Sequence, residues 1–273
     1  MSRTEVGVLA GRGKTGRALA RALERRGARA RPLGSADLGR LEEALSGCVA
    51  LHLMAPNLHP AEPALVADAL AAARAAGVGR VVYHSVAAPY APSMPHHLGK
   101  ARGEDLVRRS GLDWTILQPC AYVQNLLPGL AGLAGDDPAV RVPYDPDRLF
   151  GLVDLDDVAE AAARVLLDDG HAGATYELGG PRLVSARDVA RAASEVLGRA
   201  VPTVRVAPDD AAAAAPEHER AWLRAMFEHY DRHGLPAGGL VLQALLGRAS
   251  TTLEGTLARE LGHPTPPPHA PGK

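Results

Sequence analysis

The sequence predicts an α/β fold in which a doubly wound parallel sheet carries helices on both faces. Short apolar segments that suit buried strands alternate with helical segments of about 10–15 residues, and this order requires right-handed crossovers between parallel strands. The composition agrees, because 47% of the residues are hydrophobic and only 4% are aromatic, which is typical of helix-rich α/β proteins. A glycine-rich turn directly after the first predicted strand is the third observation.

The first half of the chain contains five predicted strands. Asp37 is expected to cap the helix that follows the second strand, and Gly27, Gly77 and Gly111 are expected to end three of the helices. The strands are predicted at 6–10, 28–33, 49–54, 80–86 and 114–117, and the helices between them at 15–26, 38–46, 61–77 and 96–110.

The second half is less regular. Asp156 and Asp157 are expected to open a helix, and Ser185 to cap the next one. Loops are predicted at 129–135 and 136–147 around a short strand at 140–142, helices at 158–168, 186–197 and 217–233, further strands at 175–178 and 201–206, and a connector at 209–215. Trp222, Met226 and Tyr230 share one face of the last helix, which is interpreted as a packing face or as the roof of a pocket.

The glycine turn has the sequence Gly11-Arg12-Gly13-Lys14-Thr15-Gly16 and lies between a predicted strand and a predicted helix. In this context the motif indicates a dinucleotide site: Gly11 permits a tight turn, Gly13 lets N–H groups approach a pyrophosphate, and Gly16 lets helix and strand pack closely. The helix N-terminus would add free N–H donors and the positive end of its dipole. All six residues are candidate cofactor-binding residues; the alternative is a flexible turn that binds nothing.

The end of the second strand would meet the adenine ribose of a bound dinucleotide. An acidic residue there favours NAD, and an arginine favours the 2′-phosphate of NADP. No acid occurs there before Asp37, whereas Arg12 in the turn and Arg31 on the strand are available cations. The sequence therefore slightly favours NADP(H) over NAD(H). That Arg31 is an ordinary solvated side chain is an equal alternative.

Composition and charge exclude several classes of protein. A formal net charge of -1 gives no basic field for nucleic acid or for an anionic membrane. The N-terminus lacks a signal-peptide h-region, and no segment approaches the roughly 20 apolar residues of a membrane span. Cys48 and Cys120 are expected to be free thiols in a reducing cytoplasm. His229 and His233 have helical spacing but no third ligand, so no metal site is predicted.

Lysine is almost absent, which makes its positions informative. Of the 30 basic residues only Lys14, Lys100 and Lys273 are lysine. Arginine cannot replace lysine where a compact, rotatable ammonium group is needed. Lys14 lies in the glycine turn, and Lys100 follows a pair of histidines after the fourth strand. Both are therefore candidate site residues.

Several longer segments resemble the NmrA-like family of atypical short-chain dehydrogenases/reductases. They are VGVLAGRGKTGR at the turn, RVVYHSV, GLDWTILQPCAYVQN, LVDLDDVAEAAARVL and GATYELGGP. The resemblance covers residues 5–262 and implies one NAD(P)-binding domain over 1–262. It consists of a Rossmann-like core over about 1–155 and a smaller C-terminal α/β lobe over about 156–262, with the substrate held between them. The proline-rich tail 263–273 is expected to be disordered.

In extended short-chain dehydrogenases, a Tyr-x-x-x-Lys pair starts the helix after strand four. The corresponding register here is His96-x-x-x-Lys100-x-x-x-Glu104, so histidine stands in place of tyrosine. The resemblance implies that Lys100 binds the nicotinamide ribose and lowers the pKa of a neighbouring acid. His96 is a candidate proton donor because imidazolium titrates near neutral pH, although a nearby ammonium disfavours its charged form. The alternative donors are His84, His97 and Tyr122.

The resemblance also assigns residues at two other strand ends. Ser85 aligns with the serine that steadies a substrate carbonyl, and Ala55 and Pro56 follow the third strand, where the nicotinamide is expected. The implied function is an NAD(P)H-dependent oxidoreductase that reduces a carbonyl, quinone or conjugated C=C of a small organic substrate.

Two other functions stay open, a non-catalytic NAD(P)-binding redox sensor and a redox-neutral isomerase or cyclase that reuses the pocket. The missing tyrosine favours the sensor, whereas the retained Lys100 favours the enzyme. The expected partner is a small-molecule substrate, with no nucleic acid and no membrane. Whether the protein is a monomer or a homodimer stays open.

Overall fold

A computed structural model describes residues 4–125 and 138–261. Its strands are β1 (Glu5–Leu9), β2 (Arg29–Leu33), β3 (Ala50–Leu53), β4 (Arg80–His84), β5 (Asp113–Pro119), β6 (Val140–Val142), β7 (Ala174–Leu178) and β8 (Thr203–Arg205). Six of them form one parallel sheet in the order β2-β1-β3-β4-β5-β7. The order reverses at β1, because β2 and β3 flank it on opposite sides. The predicted doubly wound parallel sheet is confirmed.

Helices cover both faces of this sheet. The helices of the described residues are α1 (Lys14–Arg25), α2 (Leu41–Leu45), α3 (Glu62–Ala75), α4 (Pro95–Arg108), α5 (Leu155–Leu167), α6 (Ala186–Leu197), α7 (Pro208–Ala212), α8 (Glu217–His233), α9 (Leu240–Leu246) and α10 (Leu253–Glu260). Helices α1, α5 and α9 pack on one face of the sheet, and α2, α3 and α4 pack on the other. Alternation along the strands produces the two layers: Val6 and Val8 face α1, whereas Leu9 faces α2 and α3.

A smaller lobe stands beside the sheet. Its strands β6 and β8 pair in parallel, and α6 and α10 pack against each other. The core of the lobe includes Tyr144, Phe150, Val189 and Leu257. Segments before and after residue 155 contribute to both the main sheet and the lobe. Strand β6 precedes residue 155 and belongs to the lobe, whereas α5 and β7 follow it and belong to the main sheet and its helices.

Local signals predict several boundaries correctly. Helix α6 begins after Ser185, whose hydroxyl accepts from the Asp188 N–H while the Asp188 carboxylate accepts from the Ser185 N–H. The bounds of α8 are also as predicted. The predicted loop at 129–135 and the tail 263–273 lie outside the described residues.

Other local predictions are wrong. Asp37 does not cap a helix at 38–46; it lies within a 3₁₀ helix, Ser35–Arg40, and accepts from the Gly34 N–H at 2.9 Å. Helix α5 begins earlier than expected because Asp154, rather than the two acids after it, is the N-cap. Ala10 lies beyond the end of β1, and the connector at 209–215 contains part of α7. The errors at Asp37 and at the start of α5 arise because each segment has more than one possible capping residue close together, Ser35 and Asp37 in one and Asp154 and Asp156 in the other.

Candidate active site

The glycine turn follows β1 directly, and Ala10 already has a left-handed backbone (φ 56°). A Cβ added at Gly11 would lie 2.6 Å from the Val8 carbonyl oxygen and 2.7 Å from Pro32 Cα, so only glycine fits there. A Cβ added at Gly16 would collide with the backbone of Gly11. These two glycines therefore allow the turn to close and α1 to pack against it.

The N-terminus of α1 is open at the carboxyl edge of the sheet. Gly13 is the N-cap, and no side chain of the described residues caps the N–H groups of the first turn. These groups have no acceptor within the helix, so they are available to an anion such as a phosphate. Lys14 Nζ donates to Asn125 Oδ1 at 2.9 Å, which connects the turn to the exit of β5. The geometry fits the pyrophosphate of a dinucleotide.

A cavity of about 940 Å³ runs along the carboxyl edge of the sheet to the lobe. Ligands of open α/β sheets bind at this edge, outside the carboxyl ends of the strands. The cavity brings together most of the predicted site residues, which are Arg12, Gly13, Lys14, Thr15, Ala55, Pro56, Ser85, His96, Lys100 and Tyr122. Gly11, Gly16 and Arg31 are not among its lining residues.

Arg31 has structural partners instead. Its guanidinium forms an ion pair with Glu5 and donates to the carbonyls of Ala44 at 2.8 Å and Ser46 at 2.7 Å. These bonds tie β2 to β1 and to the end of α2. Of the two predicted cations, only Arg12 lines the cavity.

Lys100 is buried and forms an ion pair with a residue that the sequence did not single out. Its Nζ lies 2.7 Å from Glu62 Oε1 and donates to the His84 carbonyl at 3.1 Å. The Tyr83 hydroxyl donates to the same Glu62 oxygen at 2.8 Å. An ammonium has three N–H groups, and these contacts occupy two. Lys100 can therefore offer the third to a ligand in the cavity.

Ser85 is held by a buried carboxylate. Its hydroxyl donates to Glu104 Oε1 at 2.6 Å, and Gln118 Nε2 donates to the same oxygen at 2.7 Å. Arg108 donates to the other oxygen of Glu104 at 3.1 Å. A hydroxyl has one proton, so Ser85 in this arrangement offers a ligand only its lone pairs. The expected hydrogen bond from Ser85 to a substrate carbonyl would require the bond to Glu104 to break.

His96 lines the cavity beneath α8, where Trp222 stacks on its ring with 6.3 Å between the centroids. Burial, together with the charges of Lys100 and His97, lowers the pKa of His96 to about 3. Burial likewise lowers the pKa of His97 to about 4, although its Nδ1 lies 3.1 Å from the Ala88 carbonyl oxygen. Both rings are neutral at pH 7, so the imidazolium form suggested for His96 is not populated.

Tyr122 ends a row of three hydrogen-bonded side chains from neighbouring elements. Its hydroxyl lies 2.8 Å from His84 Nε2, and His84 Nδ1 lies 3.2 Å from His52 Nε2. Burial raises the pKa of Tyr122 and outweighs a hydrogen bond with the Thr15 side chain, which lowers it, so the phenol keeps its proton at neutral pH. Tyr122 and His84 line the cavity, whereas His52 lies behind them in the sheet.

The part of the cavity formed by the lobe is apolar and aromatic. The ring of Tyr230 lies 5.3 Å from the ring of Phe150 and 5.8 Å from that of Tyr144, between centroids. Met226 and Phe227 of α8 line the same space. Helix α8 is therefore a roof as well as a packing element. Such a pocket favours flat apolar ligands.

Acid is expected to destabilise the protein through its buried histidines. Burial lowers the pKa of His52 to about 4, of His96 to about 3 and of His97 to about 4. Unfolding restores values near 6.5, so the unfolded chain binds more protons below that pH and the free energy of unfolding falls as the pH falls toward 4. We expect a loss of about 1–2 kcal/mol per histidine between about pH 7 and 5.

Urea unfolding at these two pH values measures this loss. The variant His52→Gln lacks one of the titrating groups and should lose less stability than the wild type over the same interval. Equal stability of the wild-type protein at both pH values would contradict the prediction.

Sequence reasoning missed His52 and Glu62. His52 interrupts the apolar residues of β3, and a lone polar residue in a buried strand is a usable signal. Glu62 stands in the first turn of α3, where an acid is ordinary because it complements the helix dipole. Its ion pair with Lys100 has no signal in the sequence.

Three further observations concern the predicted classes of site. No helix within residues 4–125 and 138–261 combines the length and the apolar character needed to cross a bilayer. Cys48 and Cys120 are free and buried, as predicted. In the same described residues, no three His, Cys, Asp or Glu side chains are grouped as metal ligands would be.

The sheet order and the glycine turn define a doubly wound α/β protein of the dinucleotide-binding type. A sequence model of the NmrA-like family matches residues 12–258. The chain belongs to the NmrA-like family, and the resemblance stated from the sequence is confirmed.

Relatives of known activity match parts of the chain. A (4-alkanoyl-5-oxo-2,5-dihydrofuran-3-yl)methyl phosphate reductase from Streptomyces griseus is 34% identical over 165 residues, which are 60% of this chain and 57% of that protein. An NAD(P)H azoreductase from Xenophilus azovorans is 31% identical over 173 residues, which are 63% of this chain and 59% of that protein. The chain thus spans less than two thirds of these two relatives. Quinone oxidoreductase 2 from Escherichia coli is 27% identical over 86% of this chain and 84% of its own length.

Solved structures share the fold. An NADPH-dependent quinone oxidoreductase from Escherichia coli in complex with NADPH has a TM-score of 0.78 at 22% identity, covering 93% of this chain and 99% of that one. The negative transcriptional regulator NmrA in complex with NADP has a TM-score of 0.77 at 17% identity, covering 96% of each chain.

Proposed function

We propose that this protein is an NAD(P)H-dependent oxidoreductase that reduces a carbonyl, quinone or conjugated C=C of a small, flat, apolar substrate. The observation that carries the proposal is one cavity that joins the open N-terminus of α1 to Lys100 and Tyr122. The names of three partly similar relatives, a butenolide phosphate reductase, an azoreductase and a quinone oxidoreductase, support the reaction class. When bound, the reduced nicotinamide supplies a hydride, which is two electrons and one proton.

The residues of the cavity then have separate roles. The free N–H groups of Lys14 and Thr15, in the first turn of α1, hold the pyrophosphate, and the remaining N–H of Lys100 binds a ribose hydroxyl. Ala55 and Pro56 shape the nicotinamide subsite, where Ser85 accepts a hydrogen bond. The proton comes from Tyr122 rather than His96, because Tyr122 keeps a proton to give and His96 is a neutral imidazole.

Arg12 is proposed to select NADPH over NADH. It is the predicted cation that lines the cavity, and a Cβ added at Gly34, at the end of β2, would lie 3.8 Å from Arg12 Nη1. Replacing Arg12 by alanine should raise the KM for NADPH by about 10–100-fold, the effect of losing a charge-assisted hydrogen bond, and leave the KM for NADH nearly unchanged.

The matched control is Arg31→Ala. Because Arg31 binds Glu5 and two carbonyls, this change should lower the free energy of unfolding without altering the ratio of the two KM values. If Arg31→Ala shifts the ratio and Arg12→Ala does not, Arg31 rather than Arg12 recognises the 2′-phosphate, and the proposal for Arg12 is wrong.

The function is tested in two steps on the purified full chain. Fluorescence titration with NADPH and NADH measures binding, and steady-state oxidation of the bound coenzyme is then followed with quinones, azo compounds, ketones and unsaturated lactones. Binding with turnover of any of these substrates supports the oxidoreductase. Tight binding without turnover would favour the redox sensor, and no binding at millimolar coenzyme would overturn both.

A further inference from the structure

Three side chains from separate strand ends form one continuous row. His52 belongs to β3, His84 to the end of β4, and Tyr122 to the exit of β5. The two histidine rings meet at 3.2 Å between Nε2 of His52 and Nδ1 of His84, and His84 Nε2 lies 2.8 Å from the Tyr122 hydroxyl. His52 is fully buried, and its Nδ1 has no hydrogen-bond partner in the described part of the chain.

Both histidines are neutral in the folded protein. Burial lowers the pKa of His52 to about 4, and burial with the neighbouring His52 and Lys100 lowers the pKa of His84 well below its ordinary value. A neutral imidazole carries one N–H, so each ring donates one hydrogen bond and accepts one. Only two arrangements then satisfy both contacts of the row.

In the first arrangement Tyr122 donates to His84, which donates to His52. The remaining N–H of His52 is then at Nδ1, buried without an acceptor. In the second arrangement His52 Nε2–H donates to His84, and His84 Nε2–H donates to the oxygen of Tyr122. The unpartnered atom of His52 is then a lone pair. Buried N–H groups without acceptors are rarer in proteins than acceptors without donors, so the second arrangement is favoured.

We propose that His52 and His84 are positioning residues. The N–H of His84 Nε2 donates to the Tyr122 oxygen, so the Tyr122 hydroxyl hydrogen points away from His84 and toward the cavity, on the side where Thr15, the second hydrogen-bond partner of Tyr122, also lines it. The proposal rests on the proposed function only for the identity of the group that receives this proton. It explains how a proton donor can be retained in a chain whose Tyr-x-x-x-Lys register carries histidine at position 96.

The proton transfer balances as follows. The substrate carbon gains a hydride and its oxygen gains the proton of Tyr122, so the O–H bond of Tyr122 breaks and a substrate O–H bond forms. The phenolate left on Tyr122 accepts a hydrogen bond from His84 Nε2–H, which stabilises its charge. Tyr122 is partly exposed and lines the cavity, so after product release its phenolate takes a proton from a hydronium ion or a buffer acid of the solvent, which leaves as water or as the buffer's conjugate base.

The first test reads the tautomers directly and needs no cofactor. In protein labelled with an NMR-active nitrogen isotope at histidine, two-bond and three-bond couplings from the ring carbon protons distinguish Nδ1–H from Nε2–H. The signals are assigned by their loss in His52→Gln and His84→Gln. We expect both residues to be Nε2–H tautomers. Nδ1–H tautomers at both positions would overturn the proposal, whatever the outcome of the activity assays.

The second test separates hydrogen bonding from packing with two variants of one residue. The amide nitrogen of His52→Gln can take the place of Nε2 as a donor, whereas His52→Leu has no donor. We expect His52→Leu to lower kcat about tenfold without changing the affinity for NADPH, and His52→Gln to keep most of the activity. Thermal unfolding confirms that both variants fold.

A similar pair elsewhere in the fold serves as the control. His171 Nδ1 lies 2.9 Å from the Tyr176 hydroxyl at the edge strand β7, and neither residue lines the cavity. His171→Leu should leave kcat unchanged. If folded His52→Leu retains wild-type kcat, the proposal is wrong, whereas absence of coenzyme binding by the wild type would count against the proposed function instead.

Discussion

Replacing Lys100 by methionine is expected to lower the free energy of unfolding by about 3–5 kcal/mol, because it leaves a buried carboxylate without its counter-ion. Lys100 and Glu62 are 7% and 1% exposed, and Nζ lies 2.7 Å from Oε1. Their second contacts, to the His84 carbonyl and from the Tyr83 hydroxyl, do not replace the missing charge. Urea unfolding of the wild type and the variant measures the difference.

Two comparisons show whether the burial of the pair is the cause. Combining Lys100→Met with Glu62→Gln removes both charges and should recover most of the lost stability. An exposed pair at the end of the same helix, the C-cap Arg109 with Asp105 at 2.9 Å, is 78% and 57% exposed, so Arg109→Met should change the free energy of unfolding by less than about 0.5 kcal/mol. If Lys100→Met is no more harmful than Arg109→Met, the pair is not an important source of stability.

Replacing Tyr122 by phenylalanine is expected to lower kcat by about 10²–10³-fold, within the range typical of general acid catalysis. The change removes the hydroxyl that lies 2.8 Å from His84 Nε2 and keeps the ring in place. The affinity for NADPH should stay nearly constant, because the turn that is proposed to hold the pyrophosphate is unaffected. Steady-state kinetics with a quinone or ketone found in the substrate survey provide the measurement.

Tyr176→Phe is the matched control, since its hydroxyl also bonds to a histidine but lies at the far edge of the sheet. It should keep wild-type kcat. His96→Gln tests the other candidate donor. If His96→Gln lowers kcat strongly and Tyr122→Phe changes it little, His96 is the proton donor and the assignment to Tyr122 is wrong.

The cofactor turn could be predicted because its requirements are local. The glycines at 11, 13 and 16 lie within six residues. At each of them a Cβ would come close to the backbone of the turn itself or of an adjacent strand. The start of α6 at Ser185 is predictable for the same reason, because a capping box spans only four residues. Asp37 shows the limit of such signals, since a 3₁₀ turn and a helix compete for the same segment.

The groups that surround the candidate chemistry could be predicted only in part. Placing Lys100 and Tyr122 at the carboxyl edge follows from the parallel sheet, in which all strand ends meet at one side. Their partners do not follow from it. Glu62 reaches Lys100 from α3, and Arg31 on β2 turns to Glu5 and away from the cavity, because each side chain finds its partner through packing of separate elements.

The sequence by itself determined the α/β class, the family and the six-residue turn, since periodicity and short motifs are encoded by residues close together in the chain. Only the tertiary structure decided which side chains share protons and charge. His52 and His84 are 32 positions apart, and His84 and Tyr122 are 38 apart. The register of β3 and β4, and the segment that follows β5, bring them together, and register depends on the burial of the whole sheet rather than on any one segment.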